Sequence, residues 1–155
     1  MELNEILVNK LIDKNYKIAT AESCTGGLLA AKIVDVANAS KVLDMSFVTY
    51  SNESKMELLG VSENLIKEYG VVSEEVALKM AYGVSKKAQA QVGVGISGIA
   101  GPTGATETKP IGMVCFGFYV DGRSYSVTKY FGDIGRNNVR NCSVIYALDF
   151  LNSIL

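Results

Sequence analysis

The sequence has no histidine among its 155 residues, and it has only three cysteines and two prolines. Without histidine there can be no Ser-His-Asp triad, no Cys-His pair and no histidine-ligated metal, so a general base must be lysine, a carboxylate, tyrosine or cysteine. The cysteines, at positions 24, 115 and 142, lie far apart and form no CxxC pair. We therefore expect reduced thiols and no zinc site.

An excess of one charge and long apolar runs are also missing. The formal net charge of −1 provides no electrostatic footprint for nucleic acid or an anionic membrane. No apolar stretch approaches the roughly 20 residues of a membrane span, and acids stand near the N-terminus where a secretory signal carries bases. With 48% hydrophobic and 20% charged residues, the composition is ordinary for a globular protein. We expect one cytoplasmic domain over residues 1–155, with no nucleic-acid or membrane partner.

Hydrophobic spacing and cap residues predict about five strands and five or six helices. The helices are expected at about 3–14, 28–36, 53–59, a short stretch after 62, 73–88 and the C-terminal stretch, and the strands at 17–20, 45–50, 92–97, 111–120 and 124–131. Asp121-Gly122 between the last two strands is a hairpin signature. Early alternation of strands and helices predicts an α/β fold with three layers, α/β/α, around a mixed, mostly parallel sheet of about five strands.

The turn between the first strand and the second helix concentrates two hydroxyls, a thiol, a carboxylate and two glycines. These residues are Glu22, Ser23, Cys24, Thr25, Gly26 and Gly27. Ser23 stands where a nucleophile would stand, beside backbone N–H groups that favour negative charge. The alternative is that Ser23 or Thr25 caps the helix and that the glycines allow close packing. Cys24 is the competing nucleophile, ranked below Ser23 because it has no histidine partner.

Polar residues follow three predicted strands, which end near Thr20, Tyr50 and Ser97. Ligands of α/β sheets bind outside the carboxyl ends of the strands, so these loops could converge on one crevice. Lys55 would then be a candidate base for Ser23, because partial desolvation lowers the pKa of a lysine and Ser-Lys dyads need no histidine. The alternative for Lys55 is a solvated helix lysine, and sequence spacing does not decide between the two.

The neighbours of this pair also have two interpretations each. Tyr50 could bridge it through hydrogen bonds, or be a strand aromatic with its hydroxyl at the rim. Glu22 could orient the lysine or accept a backbone hydrogen bond.

The longest irregular stretch, Gly98–Pro110, offers glycine N–H groups and threonine hydroxyls to a phosphate or a sugar. It matches neither the GxxxxGK[ST] nor the GxGxxG pattern, and a loop that uses glycine only for turns is the alternative. Arg136 opens the last helix, where a cation opposes the helix dipole, and a bound phosphate or carboxylate would account for it there.

Six collinear blocks resemble the CinA C-terminal domain family. They are AESCTGG at 21–27, YSNExK at 50–55, GVVSEEVA at 70–77, SGIAGP at 97–102, KPxG at 109–112 and RxxVR at 136–140. The resemblance covers about residues 4–152. The family's enzymes are nicotinamide-nucleotide amidases, so it implies that nicotinamide mononucleotide is deamidated to nicotinate mononucleotide and ammonia in pyridine-nucleotide salvage, without a metal or a cofactor. It also implies a homo-oligomer, a dimer or higher.

Carried onto this sequence, the resemblance implies that Ser23 is the nucleophile, Lys55 its base and Tyr50 a supporting hydroxyl. Backbone N–H groups near residues 24–27 would stabilise the oxyanion of an acyl-enzyme mechanism. The substrate-binding residues so expected are Glu22, Cys24, Thr25, Gly26, Gly27, Asn52, Ser97, Gly98, Gly101, Gly104, Thr106 and Arg136.

The chain departs from the family pattern before the second strand, where Met45-Ser46 stands in place of a common Gly-Gly pair, and in two loops. GPTGAT at 101–106 replaces a usual Gly-Pro-Gly-Gly-Gly-Thr, and the stretch 132–136 is about two residues longer than the usual Gly-Asp-Arg. A non-catalytic nucleotide-binding or interaction module is therefore the alternative function, and an amidase for another small amide is a third.

Overall fold

The computed structural model describes residues 1–155 and contains six α-helices, five strands and a short 3₁₀ turn at Ala39–Lys41. The helices are α1 (Leu3–Lys14), α2 (Leu28–Val34), α3 (Asn52–Leu59), α4 (Glu63–Tyr69), α5 (Glu74–Ala88) and α6 (Arg136–Ile154), and the strands are β1 (Ile18–Glu22), β2 (Phe47–Val48), β3 (Val92–Gly98), β4 (Met113–Val120) and β5 (Arg123–Tyr130). No helix has both the length and the apolar character that a membrane crossing requires.

The five strands form one sheet in the order β2-β1-β3-β4-β5. The β1 strand pairs in parallel with β2 and β3, whereas β4 pairs antiparallel with β3 and β5. Four of the five strands therefore run in one direction, which confirms the mixed, mostly parallel sheet. The β4–β5 hairpin turns at Asp121 and Gly122, both with positive φ (46° and 89°), as a tight two-residue turn requires.

Helices cover both faces of the sheet, which confirms the three layers. On one face, Val92, Val94 and Ile96 of β3 belong to the same apolar core as Leu11 of α1 and Leu151 of α6. On the other face, the core is built around α5 and includes residues from β1 and α3; its central members are Ala19, Ala21, Leu59, Val76, Met80 and Val84.

Glycines on β3 bring α5 into close contact with the sheet. A Cβ at Gly93 would overlap the carbonyl oxygen of Ala81, and one at Gly95 would overlap that of Ala77. The small-residue strand predicted from the sequence is thus a packing surface for a helix backbone.

Serine caps begin three of the helices, as their sequences predict. The hydroxyls of Ser51, Ser62 and Ser73 accept hydrogen bonds from the backbone N–H groups of Ser54, Leu65 and Val76. The first of these caps fixes the start of α3, which carries Lys55.

The second strand is shorter than the sequence predicts, since β2 covers two residues instead of the expected 45–50. The hydroxyl of Ser46 accepts the backbone N–H of Thr20 at 3.0 Å, and its oxygen lies 2.8 Å from the Thr20 hydroxyl oxygen. A side chain thereby takes the place of a ladder hydrogen bond at this edge.

Candidate active site

The loops that follow β1, β2 and β3 converge at the carboxyl edge of the sheet, as the sequence predicts. They enclose a crevice of about 270 Å³ together with the start of α6. The crevice is lined by Ser23, Cys24, Tyr50, Asn52, Lys55, Val71, Val72, Ser97, Gly98, Ile99, Ala100, Thr103, Gly104 and Arg136.

The Lys55 amine lies 3.1 Å from the Ser23 hydroxyl oxygen at the base of this crevice. Lys55 projects from the first turn of α3, and its side chain is 1% exposed. Its Nζ also contacts the backbone carbonyl oxygens of Thr49 at 2.7 Å and Tyr50 at 3.4 Å. The sequence alternative of a solvated helix lysine is therefore wrong.

The electrostatics of the site make the neutral form of the lysine more accessible than it is in water. No carboxylate forms an ion pair with Lys55, and burial lowers the pKa of its amine to about 8, because a charge is costly away from water. In the neutral form, the two carbonyls can accept both N–H groups. The nitrogen lone pair is then left for the hydroxyl proton of Ser23, which is the arrangement of a general base.

Cys24, the competing nucleophile, is deactivated by its surroundings. Burial raises the pKa of its thiol to about 12, and the side chain is 5% exposed. The thiolate is the reactive form of cysteine, so Cys24 has almost none of it at neutral pH. The structure therefore favours Ser23.

Glu22 lies behind the crevice, which corrects the prediction that its side chain and the side chain of Thr25 contact substrate. One oxygen of the fully buried carboxylate accepts the Thr25 hydroxyl at 2.7 Å and the Leu29 N–H at 2.9 Å. The other accepts the Thr20 hydroxyl and the Ala30 N–H, each at 2.9 Å. Glu22 thus caps α2 from the preceding strand and ties β1 to the helix, because the short turn brings its carboxylate to free N–H groups.

Tyr50 does not place its hydroxyl on the dyad, which corrects its predicted supporting role. The hydroxyl accepts a hydrogen bond from Arg136 Nη2 at 2.9 Å, and the residue is 62% exposed. Only the carbonyl of Tyr50 reaches Lys55. Arg136 also donates from Nη1 to the carbonyl of Gly101 at 2.8 Å, so it joins the end of β2 to the glycine-rich loop at the mouth of the crevice.

Several glycine and loop positions predicted to bind substrate lie outside the crevice lining. Gly26 and Gly27 have positive φ (59° and 99°), which the turn requires. Gly101 meets Arg136 through its carbonyl, and Thr106 Oγ1 accepts the backbone N–H of Lys109 at 3.1 Å.

Among the lining residues, Ser97 is already engaged, since its hydroxyl donates to the carbonyl of Val71 at 2.8 Å. Gly98 packs closely against two side chains, because a Cβ at this position would lie 2.7 Å from Val114 Cγ2 and 3.1 Å from Cys24 Sγ.

Three residues that help to form the crevice were not predicted from the chemistry of the individual residues in the sequence. Val71 and Val72 form one wall. Lys109 Nζ donates to the carbonyls of Tyr69 and Val72, each at 2.6 Å, and so holds the glycine-rich loop against that wall. These residues belong to the GVVSEEVA and KPxG blocks, and this recurrence in a family pattern is the only signal that could have pointed to them.

Comparison with known proteins agrees with this fold. The CinA C-terminal domain family matches residues 1–155. The chain is 48% identical over 153 residues to a CinA-like protein of Kosmotoga olearia and 47% identical over 150 residues to one of Dictyoglomus turgidum. These matches cover 99% and 96% of the chain, but the chain spans only 37% and 36% of the length of these relatives.

Two crystal structures show the same architecture along almost the whole chain. A competence-damaged protein (CinA) superfamily protein from Escherichia coli has a TM-score of 0.95 at 35% identity, covering 99% of this chain and 88% of that one. The competence/damage inducible protein CihA from Agrobacterium tumefaciens has a TM-score of 0.91 at 36% identity, covering 99% and 96%. The chain belongs to the CinA C-terminal domain family.

Proposed function

We propose that this chain is a cytoplasmic amidohydrolase that converts nicotinamide mononucleotide to nicotinate mononucleotide and ammonia in pyridine-nucleotide salvage. The observation that carries the proposal is the 3.1 Å contact between a buried Lys55 amine and the Ser23 hydroxyl. Serine-lysine pairs of this kind perform acyl transfer without histidine.

The reaction begins with neutral Lys55, which accepts the hydroxyl proton of Ser23 as Oγ bonds to the carboxamide carbon. The resulting ammonium donates this proton to the amide nitrogen, the C–N bond breaks, and ammonia leaves. The nicotinoyl group is then held as an ester on Ser23. Lys55 next accepts a proton from water as the water oxygen attacks the ester carbon, and it returns a proton to Ser23 Oγ as the acid departs.

Unpaired backbone donors adjoin the nucleophile and suit the oxyanion of this mechanism. The N–H of Ser23 itself donates to the Ile96 carbonyl at 3.1 Å, whereas the N–H groups of Cys24 and Thr25 donate to no backbone carbonyl. A donor on the residue after the nucleophile is the usual oxyanion partner in serine hydrolases.

The mouth of the crevice suits an anionic substrate. Arg136 has no carboxylate partner there, and its guanidinium donates only to the neutral oxygens of Tyr50 and Gly101. A phosphate would compete well for such a cation, because charge-assisted bonds are stronger than those to neutral oxygens. The neighbouring loop adds the Thr103 hydroxyl and Gly104 to the lining.

The test is ammonia release from nicotinamide mononucleotide by the purified chain and by the Ser23→Ala and Lys55→Met variants. We expect activity in the wild type, loss of it in both variants, and no change in Ser124→Ala, a matched control at an exposed serine. Full activity in Ser23→Ala together with loss in Cys24→Ala would reassign the nucleophile.

Calorimetric titration of the same nucleotide separates the other functions. Binding without turnover by the wild type would favour a non-catalytic module, and turnover of a different small amide in a substrate panel would change the substrate. The homo-oligomer that the resemblance implies stays a prediction, which light scattering of the purified chain tests.

A further inference from the structure

Arg140 lies on α6, one turn after Arg136, and directs its guanidinium at the turn that follows Ser23. Its Nε donates to the carbonyl of Cys24 at 2.9 Å, and its Nη2 donates to the carbonyl of Thr25 at 3.3 Å. Nη1 donates to Asn137 Oδ1 at 3.0 Å. Arg140 forms no ion pair, so the charge of this half-buried side chain acts mainly on two backbone carbonyls.

The carbonyls of Ser23 and Cys24 determine the direction of the two proposed oxyanion donors. In a planar trans peptide the C=O and the following N–H point in opposite directions. The carbonyl of Cys24 shares its peptide with the N–H of Thr25. The carbonyl of Ser23, which accepts the Gly26 N–H at 3.1 Å, shares its peptide with the N–H of Cys24. Both peptides are therefore fixed by hydrogen bonds to their carbonyl oxygens, whereas their N–H groups donate to no backbone carbonyl.

A cation on the carbonyl oxygen also changes the donor strength of the same peptide. It withdraws electron density from the amide, so the N–H becomes a better hydrogen-bond donor, as in cooperative hydrogen-bond chains. Donors that are already oriented need no rearrangement as the negative charge develops on the substrate oxygen.

Gly26 makes room for this contact. It has a φ of 59°, and a Cβ there would lie 3.2 Å from Arg140 Nη2. The glycine thus allows both the left-handed turn and the approach of the guanidinium.

We infer that Arg140 is a positioning residue of the amidase reaction, which orients and polarises the Cys24–Thr25 peptide so that its N–H stabilises the oxyanion. The inference rests on the proposed function. The role at position 140 requires arginine specifically, because a planar guanidinium can donate to two carbonyls at once in a fixed geometry. A lysine ammonium is a point charge and would not hold both carbonyls in this way.

The experiment compares Arg140→Lys and Arg140→Ala with matched substitutions at Arg123, an exposed residue at the start of β5. With nicotinamide mononucleotide as substrate, we expect kcat to fall about 10- to 100-fold in the Arg140 variants, somewhat less than for removal of a whole oxyanion donor. KM should stay within about twofold, because an oxyanion contact forms in the transition state and not in the ground state. The Arg123 variants should match the wild type.

Two readouts separate positioning from a merely structural role. Millimolar guanidinium chloride, compared with equal sodium chloride, should restore part of kcat in Arg140→Ala. The pKa of the ascending limb of the pH–rate profile should stay unchanged, since Arg140 does not touch Lys55. Lower kcat and thermal stability without guanidinium rescue would overturn the inference, as would wild-type kcat in Arg140→Lys and Arg140→Ala.

Labelling with an alkyl fluorophosphonate makes the test independent of the natural substrate. Ser23 Oγ bonds to phosphorus, fluoride leaves, the hydroxyl proton passes to Lys55, and the phosphoryl oxygen uses the same N–H donors. Labelling should slow in the Arg140 variants by a factor similar to that in kcat. If the wild type is labelled but releases no ammonia, the proposed function fails and the labelling rates still decide the role of Arg140. A wild type that does neither overturns both.

Discussion

Lys55 makes the proposed reaction pH-dependent, and its burial determines the pH range in which activity rises. With a pKa of about 8 instead of the ordinary 10.5, about one-tenth of the molecules carry a neutral amine at neutral pH, against about 0.03% for a solvated lysine. Burial therefore increases the amount of competent base by about 300-fold, which corresponds to about 3 kcal/mol. The base is neutral above its pKa, so activity rises with pH.

The assay is kcat/KM for ammonia release from nicotinamide mononucleotide between pH 6 and 10. We expect kcat/KM to increase about tenfold per pH unit below about 8 and to level off above it. Lys55→Arg should be inactive throughout, because a guanidinium does not deprotonate in a protein. Lys67→Met, at an exposed lysine of α4, should keep the wild-type profile.

Two results would refute this reasoning. A kcat/KM that is already level at pH 6 would assign the base to a carboxylate, and a rise that continues up to pH 10 would mean that Lys55 is solvated in the working enzyme. Because the chain has no histidine, no imidazole titration can be mistaken for that of Lys55 in the pH–rate profile.

Three further predictions concern stability, each measured by urea unfolding. The pKa of Lys55 is lower in the folded than in the unfolded chain, so the unfolded chain binds more protons between pH 8 and 10.5 and wild-type stability should rise across that window. The Lys55→Met variant should not show this rise and should be no less stable than the wild type at pH 7. A loss of stability above about 2 kcal/mol in this variant would contradict the cost assigned to the buried charge. The Glu22→Gln variant should lose about 2–3 kcal/mol of unfolding free energy, because an amide cannot accept all four hydrogen bonds of the carboxylate. The exposed control Glu57→Gln should keep nearly the stability of the wild type. Equal effects in the two variants would refute the capping role of Glu22. Gly95→Ala should lose about 3 kcal/mol, because its Cβ would overlap the carbonyl oxygen of Ala77 and push α5 off the sheet; a stability within about 1 kcal/mol of the wild type would mean that α5 can shift at little cost.

The local signals in the sequence were sufficient for most of the secondary structure. Serine caps before α3, α4 and α5 and the Asp121-Gly122 turn act within four residues of chain, so their geometry depends little on the rest of the molecule. The glycines of β3 likewise predicted close packing, although the helix that approaches them came only from the structure. Where a side chain of the predicted strand itself replaced a backbone bond, as Ser46 does beside β1, the sequence prediction of strand length was wrong.

The candidate site likewise combines features that can be predicted from the sequence with features that depend on the fold. The residue types followed from the sequence alone: without histidine, a general base had to be lysine, a carboxylate, tyrosine or cysteine, and the collinear blocks pointed to the family. Which of these groups come into contact depends on the fold. It buried Lys55 against Ser23, turned the Tyr50 hydroxyl away to Arg136, and used Glu22 as a helix cap. The physical reason is that desolvation and hydrogen-bond partners come from elements distant in the chain, and these set the pKa and direction of a side chain.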